Sequence, residues 1–538
     1  MKQSLLIFIL ITITFTGASQ TFDVVIRHGE VYNGLGTPPV VTDVGISKDT
    51  IAAIGDLSKF KGLKEIDATG LAVSPGFINM LSWSEATLLK DGRAMSDIKQ
   101  GVTLEVMGEG LSAGPRKPRA RDKRWNTLGQ FFTYLERKGV SPNFASFVGA
   151  TSIRLYVLDQ ADRAPTTKEL TQMKSLVAQA MREGAMGLGS SLIYAPATFA
   201  KTEELIELSK IASSYGGMYI THMRSESDFI FQGMNETFRI AKEAGIAAEI
   251  YHLKINHDRN WRKIDTVLFK IDSARKAGLR ITADIYPYHA SGTSLTARLP
   301  AWIQEGGTKE MRKRLVDPVM RKRVLYELKM GIPSKNSNPK DVLLLGFRKD
   351  SLNRLYKGKR LDEVARLHGK DEDETMLDLL VADKTSIPAI FFLMSEENMK
   401  RMLRLPFVSI CSDAAAYPAE LPYLDEGIHP RAYGSFAKLL SDYVRDQKIL
   451  TLEEAVRRMT SLPASNLKLD RRGQLRKGYF ADIVVFDKNK VDDKSTYEKP
   501  HQYAEGVIHV FVNGKQVLSN GNHTGAKPGR ALRGPGYN

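Results

Sequence analysis

Two histidines stand one repeat apart in the stretch Gly216 to Lys254, GGMYITHMRSESDFIFQGMNETFRIAKEAGIAAEIYHLK. A short apolar run, Met218 to Thr221, ends on His222, and a second, Ala247 to Tyr251, ends on His252. Between them Phe231, Met234, Phe238 and Ala241 recur at helical spacing. The order is strand, His, helix, strand, His. One histidine at the end of a buried strand often does no more than satisfy a local partner. Two of them, one βα unit apart, can bring their imidazoles to the same open mouth and share a metal ion.

The rest of the chain supplies the elements that would position such a pair. Strand-like runs occur at Val73–Met80, Val102–Met107, Ala145–Ala150, Ala185–Ser190, Met218–His222, Ala247–His252, Ile281–Tyr286 and Phe407–Cys411. That is the number a (β/α)8 barrel needs, although Ala389–Met394 also reads as a strand. About 120 residues separate the seventh and eighth runs, far more than one helix needs. The charged, helix-patterned segment 294–397 is therefore expected to be an insertion beside the mouth. Both ends of the chain read differently, as short strands with turns. Residues 21–72 alternate and turn at Asn33-Gly34, and residues 466–538 carry an Asn513-Gly514 hairpin signal. These ends predict a small β-sandwich assembled from both termini, with the barrel, 73–465, between them.

Composition narrows the class. A hydrophobic content of 42% and a charged content of 26% are those of an ordinary soluble globular chain. Residues 1–20, MKQSLLIFILITITFTGASQ, join a basic residue, an apolar core too short to span a bilayer and a run of small residues. They read as a cleaved signal peptide, which predicts a periplasmic or secreted protein. The single cysteine, Cys411, can form no internal disulfide and lies in an apolar run, as a small buried hydrophobe would. The formal charge of +16 is concentrated at Pro115–Arg124, Lys309–Arg323 and Lys527, Arg530 and Arg533. No nucleic-acid motif accompanies these clusters, so they read as solvated surface.

Several stretches in order carry a resemblance. They are Pro75-Gly-Phe-Ile, GAMGLGSSLIYAPATFA (Gly184–Ala200), ITHMRSE (Ile220–Glu226), IYHLK (Ile250–Lys254), DIYPYHASGTS (Asp284–Ser294), ICSDAA (Ile410–Ala415), HPRAYGSF (His429–Phe436) and GYFADIVVFD. In these the chain resembles the amidohydrolase superfamily and, within it, the N-acyl-D-amino-acid deacylases. The resemblance implies a metal-bearing barrel with a small β-sandwich, in agreement with the pattern above. It also implies hydrolysis of an N-acyl-D-amino acid to a carboxylate and a D-amino acid. The alternatives are a dipeptidase or another small C–N hydrolase, or a binding protein that has lost its metal.

Two departures bear on the metal. The superfamily usually carries His-x-His after the first strand, where PGFINMLSW puts Leu81 and Trp83, neither of them a ligand. After the second strand some members use a cysteine. Aligned through Ser112, its place is taken by Glu109, between Gly108 and Gly110. A carboxylate is a competent zinc ligand, and glycines on both sides allow close approach. The expected centre is therefore one divalent ion, zinc, on Glu109, His222 and His252. Asp413, at the end of the eighth run, is the expected general acid and base. Arg431 is the expected anchor for the substrate carboxylate. The resemblance places Tyr194, Lys254, Tyr286 and Ser291 around the substrate. Arg224 and Glu226, two residues apart, suggest an ion pair behind His222. His257, His289 and His429 lie near the motifs without being expected ligands.

Overall fold

The structure is a computed structural model that describes residues 21–118, 124–331 and 338–537. Residues 1–20, expected from the sequence to be a signal peptide, and part of the Pro115–Arg124 cluster lie outside the described residues.

Eight parallel strands form the barrel. They are Phe77–Asn79, Val102–Met107, a third in two pieces (Asn143–Ser146 and Val148–Gly149), Gly187–Ser191, Met218–His222, Ala247–Ile250, Ile281–Ile285 and Val408–Ile410. Backbone pairing runs from the first to the third and onward to the eighth. Leu81 C=O accepts the Asp413 N–H at 3.0 Å, and a Ser82–Ala414 bridge completes the ring from eighth strand to first. The strands are buried on both faces, polar Glu105, Glu249 and Asp284 included, as a parallel sheet covered on both sides requires.

The helix after the fifth strand, Ile230–Glu243, buries Ile230, Gly233, Met234, Thr237, Ile240 and Ala241 against the barrel. The stripe is rotated from the one its largest residues suggested. Phe231 and Phe238 are only partly buried at its margins, because the small residues Gly233 and Thr237 take the closest approach.

Val73–Met80 is two strands, not one. Ala72–Pro75 belongs to the terminal sheet, Phe77–Asn79 to the barrel, and the change falls at Gly76. A Cβ at Gly76 would sit 2.1 Å from Thr103 Oγ1, so the chain passes from one body to the other at a glycine. Ala72–Pro75 pairs antiparallel with Ile483–Phe486, joining the N-terminal strands to the C-terminal ones in a single nine-stranded sheet. That sheet bends over a core of Ile26, Ile46, Val73, Ile483 and Phe511. Asn513 and Gly514 both have positive φ, as a tight hairpin turn demands.

Asp482 fastens this sheet to the barrel. Its carboxylate accepts from the Asn513 N–H at 2.8 Å, from Asn143 Nδ2 at 3.2 Å and from the buried Arg472 guanidinium. Asp482→Ala would leave that guanidinium with no carboxylate partner among the described residues and only Asn513 Oδ1, at 2.8 Å, to accept from it, so we expect about 3–5 kcal/mol of lost stability, read as a lower urea midpoint.

The insertion has its own core, including Leu295, Leu315, Val342, Leu377 and Phe391. It also has its own sheet of Ser291–Ser294, Pro388–Phe391 and Val342–Leu344. It therefore starts at Ser291, earlier than 294, and Ala389–Met394 contributes to it rather than to the barrel. No described helix is long and apolar enough to cross a membrane.

Candidate active site

The fifth and sixth strands end on the two histidines. His222 closes Met218–His222, and His252 follows Ala247–Ile250 by two residues, with φ at +35°. Its backbone N–H donates to Asp284 Oδ1 at 2.6 Å, which helps to hold that uncommon conformation. The rings meet edge to face with centroids 4.4 Å apart.

Glu109 arrives from the second strand between Gly108 and Gly110, at φ of +102° and +68°. A Cβ at Gly108 would lie 2.3 Å from the Phe147 carbonyl oxygen, and one at Gly110 would lie 2.6 Å from Ser191 Cβ. Only glycines let the loop sink deep enough for the carboxylate to reach the rings. Glu109 Oε1 is 3.0 Å from His222 Nδ1 and 3.5 Å from His252 Nε2. All three side chains are buried, and their ligand atoms lie within 4.8 Å of one another. Ligands of a tetrahedral zinc are about 3.3 Å apart, so this donor set fits a divalent ion.

Electrostatics point the same way. Burial pushes the Glu109 carboxyl up, but its hydrogen bonds to both histidines prevail and bring it down to about 2. Burial and the Lys254 ammonium push His252 down, yet Glu226, Asp413 and Glu109 hold it up, to about 10. Burial lowers His222 against the pull of Glu226. The pocket thus gathers positive charge between its carboxylates. A cation held by deprotonated ligands would supply the same charge without the proton.

Behind the rings, Lys254 Nζ lies 2.6 Å from His252 Nδ1 and 2.8 Å from Glu226 Oε1. Glu226 Oε2 is 3.4 Å from His222 Nε2. The expected Arg224–Glu226 pair is absent. Arg224 turns outward to Glu236, at 2.9 Å, and to the carbonyls of Thr198 and Ala200. The reason is geometric: beyond His222 the chain leaves the strand, so alternation no longer puts the two side chains together.

On the opposite wall Asp413, at φ +49°, follows the eighth strand. Its Oδ2 is 2.7 Å from Arg431 Nη1, and its Oδ1 accepts from Trp83 Nε1 at 3.0 Å. Arg431 lies over the Tyr286 ring, 4.6 Å from its centroid, and donates to the Gly292 carbonyl at 3.2 Å. Tyr286 is buried, with its hydroxyl 3.7 Å from Met394 Sδ. Tyr194 bonds Thr293 Oγ1 at 2.8 Å, and Ser291 is half-buried at the start of the insertion's first strand. His429 Nε2 is 3.0 Å from the Ala290 carbonyl, and its Nδ1 accepts the Arg431 N–H at 3.0 Å. It steadies the arginine from outside the ligand cluster.

Sequence reasoning treated Trp83 only as a non-ligand and gave Glu226 the wrong partner. It left Ser191, whose hydroxyl donates to Glu109 Oε1 at 3.2 Å, unmentioned. Trp83 had one available signal, its place just past the first strand, level with the eighth.

A closed eight-stranded barrel with two strand-end histidines and a buried carboxylate at its mouth defines a metal-site hydrolase scaffold. Residues 64–518 match the amidohydrolase family, and the chain belongs to that family. It is 34% identical over 526 residues to the D-aminoacylase of Alcaligenes xylosoxydans xylosoxydans, covering 96% of this chain and 98% of that one. It superposes with a TM-score of 0.80 on a D-aminoacylase with a binuclear metal centre, in which one metal activates and the second attenuates. Identity there is 32%, over 95% of this chain and 100% of the other. It superposes with a TM-score of 0.81 on the N-acyl-D-glutamate deacylase of Bordetella bronchiseptica, solved with zinc and a phosphonate mimic of the tetrahedral intermediate. Identity there is 28%, over 96% of this chain and 100% of the other.

Proposed function

We propose that this protein hydrolyses N-acyl-D-amino acids to a carboxylic acid and a free D-amino acid, using one zinc ion on Glu109, His222 and His252. The observation that carries this is the buried meeting of those three side chains, facing Asp413 and Arg431 across the mouth. A bound divalent ion there would polarise the scissile carbonyl and bring a water towards ionisation at neutral pH. Arg431 takes the substrate carboxylate and fixes the amide's place over the site. Asp413 accepts the proton of the attacking water and returns it to the amide nitrogen as the C–N bond breaks. Tyr194, Tyr286 and Ser291 offer hydrogen bonds to the substrate, and Lys254 joins them by turning from the His252 and Glu226 contacts it makes in this structure. The test is amine release from a panel of N-acyl-D- and N-acyl-L-amino acids and dipeptides, alongside bound-metal content. Release from dipeptides alone would favour the dipeptidase. No bound metal and no release would leave a binding protein.

The single-ion reading is supported by Leu81 and Trp83, where the superfamily usually has two histidines. We expect activity of the metal-free protein to saturate at about one equivalent of zinc and to stay level through a second. A fall at the second equivalent would refute it. Export, read from residues 1–20, is checked by the N-terminal sequence of the mature protein.

A further inference from the structure

We propose that Trp83 is a positioning residue for Asp413, holding its carboxylate in the working orientation when Arg431 engages the substrate. This rests on the deacylase reading above. The two Asp413 oxygens are held by different donors, Oδ1 by the Trp83 indole N–H at 3.0 Å and Oδ2 by Arg431 Nη1 at 2.7 Å. Arg431 has two tasks. Its Nε is buried without a hydrogen-bond partner among the described residues, and its Nη1 meets Asp413 as an ion pair rather than an aligned hydrogen bond, as suits a guanidinium that must still receive a ligand carboxylate. When it turns to that carboxylate, Oδ2 is released to accept a proton and Oδ1 keeps its bond to the indole. The indole N–H is neutral, so it orients the carboxylate without placing a second positive charge against it.

Trp83 is itself well fixed. Its backbone N–H donates to the Ala414 carbonyl at 3.1 Å, and the neighbouring Ser82 bridges to Ala414. Ser82 Oγ donates to Ser84 Oγ at 2.7 Å, and Ser84 Oγ accepts the Ala416 N–H at 2.9 Å. The exits of the first and eighth strands are thus zipped together on both sides of Asp413. The indole is as rigidly referenced to the reacting region as the carboxylate it holds.

The test is Trp83→Phe, which keeps an aromatic ring and removes the N–H, measured in the zinc-loaded full-length protein with an N-acetyl-D-amino acid that the wild type hydrolyses. Metal content, thermal midpoint and KM should stay at wild-type values while kcat falls about 10- to 100-fold. A crystal structure of the variant should show the Asp413 carboxylate rotated away from the position it holds here. Wild-type kcat, or a raised KM with kcat unchanged, would overturn the proposal, since packing alone survives in phenylalanine. If Trp83→Phe does not fold, 3-benzothienylalanine at position 83 replaces N–H by sulfur in the same shape and is read by the same criteria. A wild type that hydrolyses no N-acyl amino acid sinks the deacylase reading and this proposal with it. An active wild type with an equally active variant sinks this proposal alone.

Discussion

Asp413→Asn should keep its zinc and lose about 10²- to 10⁴-fold in kcat. The substitution preserves shape, so Oδ1 can still accept the Trp83 N–H. The oxygen now held 2.7 Å from Arg431 becomes an amide NH2, which cannot accept the proton of the attacking water. The same change frees Arg431 from its only acidic partner among the described residues. KM should therefore hold steady or fall while kcat collapses, which separates a lost base from a damaged binding site. Turnover within about threefold of wild type would remove Asp413 from the mechanism.

Glu109→Gln should lose the metal itself. Two neutral imidazoles alone make a poor site, and burial of the cluster leaves no water-rich surroundings to compensate. Metal content after dialysis should drop well below one per chain. Activity should fall on the order of 10³-fold, the equivalent of several kcal/mol of transition-state stabilisation. A chelator should do the same to the wild type. Added zinc should then rescue the wild type and not the variant. Full metal content in Glu109→Gln would show that the carboxylate is not a ligand.

How much of this could be read in advance follows from which contacts are local. The runs Met218–Thr221 and Ala247–Tyr251 are mostly apolar and each is followed by a histidine, so His222 and His252 announce their place at the mouth. Glu109 announces itself through Gly108 and Gly110. The bond from Trp83 to Asp413 joins residues 330 positions apart, and no periodicity encodes it. Arg431 read as a substrate anchor, but its grip on Asp413 depends on how the first and last strands close the ring. Glu226 was misplaced because period-two reasoning was carried beyond the strand's end. The insertion looked helical because its three strands are short, and the one at Ser291–Ser294 has almost no apolar signal.

The pairing of Ala72–Pro75 with Ile483–Phe486 also has a consequence for synthesis. On the ribosome, the whole barrel sequence emerges before the partner strand of Ala72–Pro75 does. Until residues beyond Phe486 have been made, that strand offers an open edge to any neighbouring chain. The last part of the protein to be translated is therefore the part that closes the first. A ribosome stalled between the eighth barrel strand and Ile483 would hold a nascent chain prone to self-association.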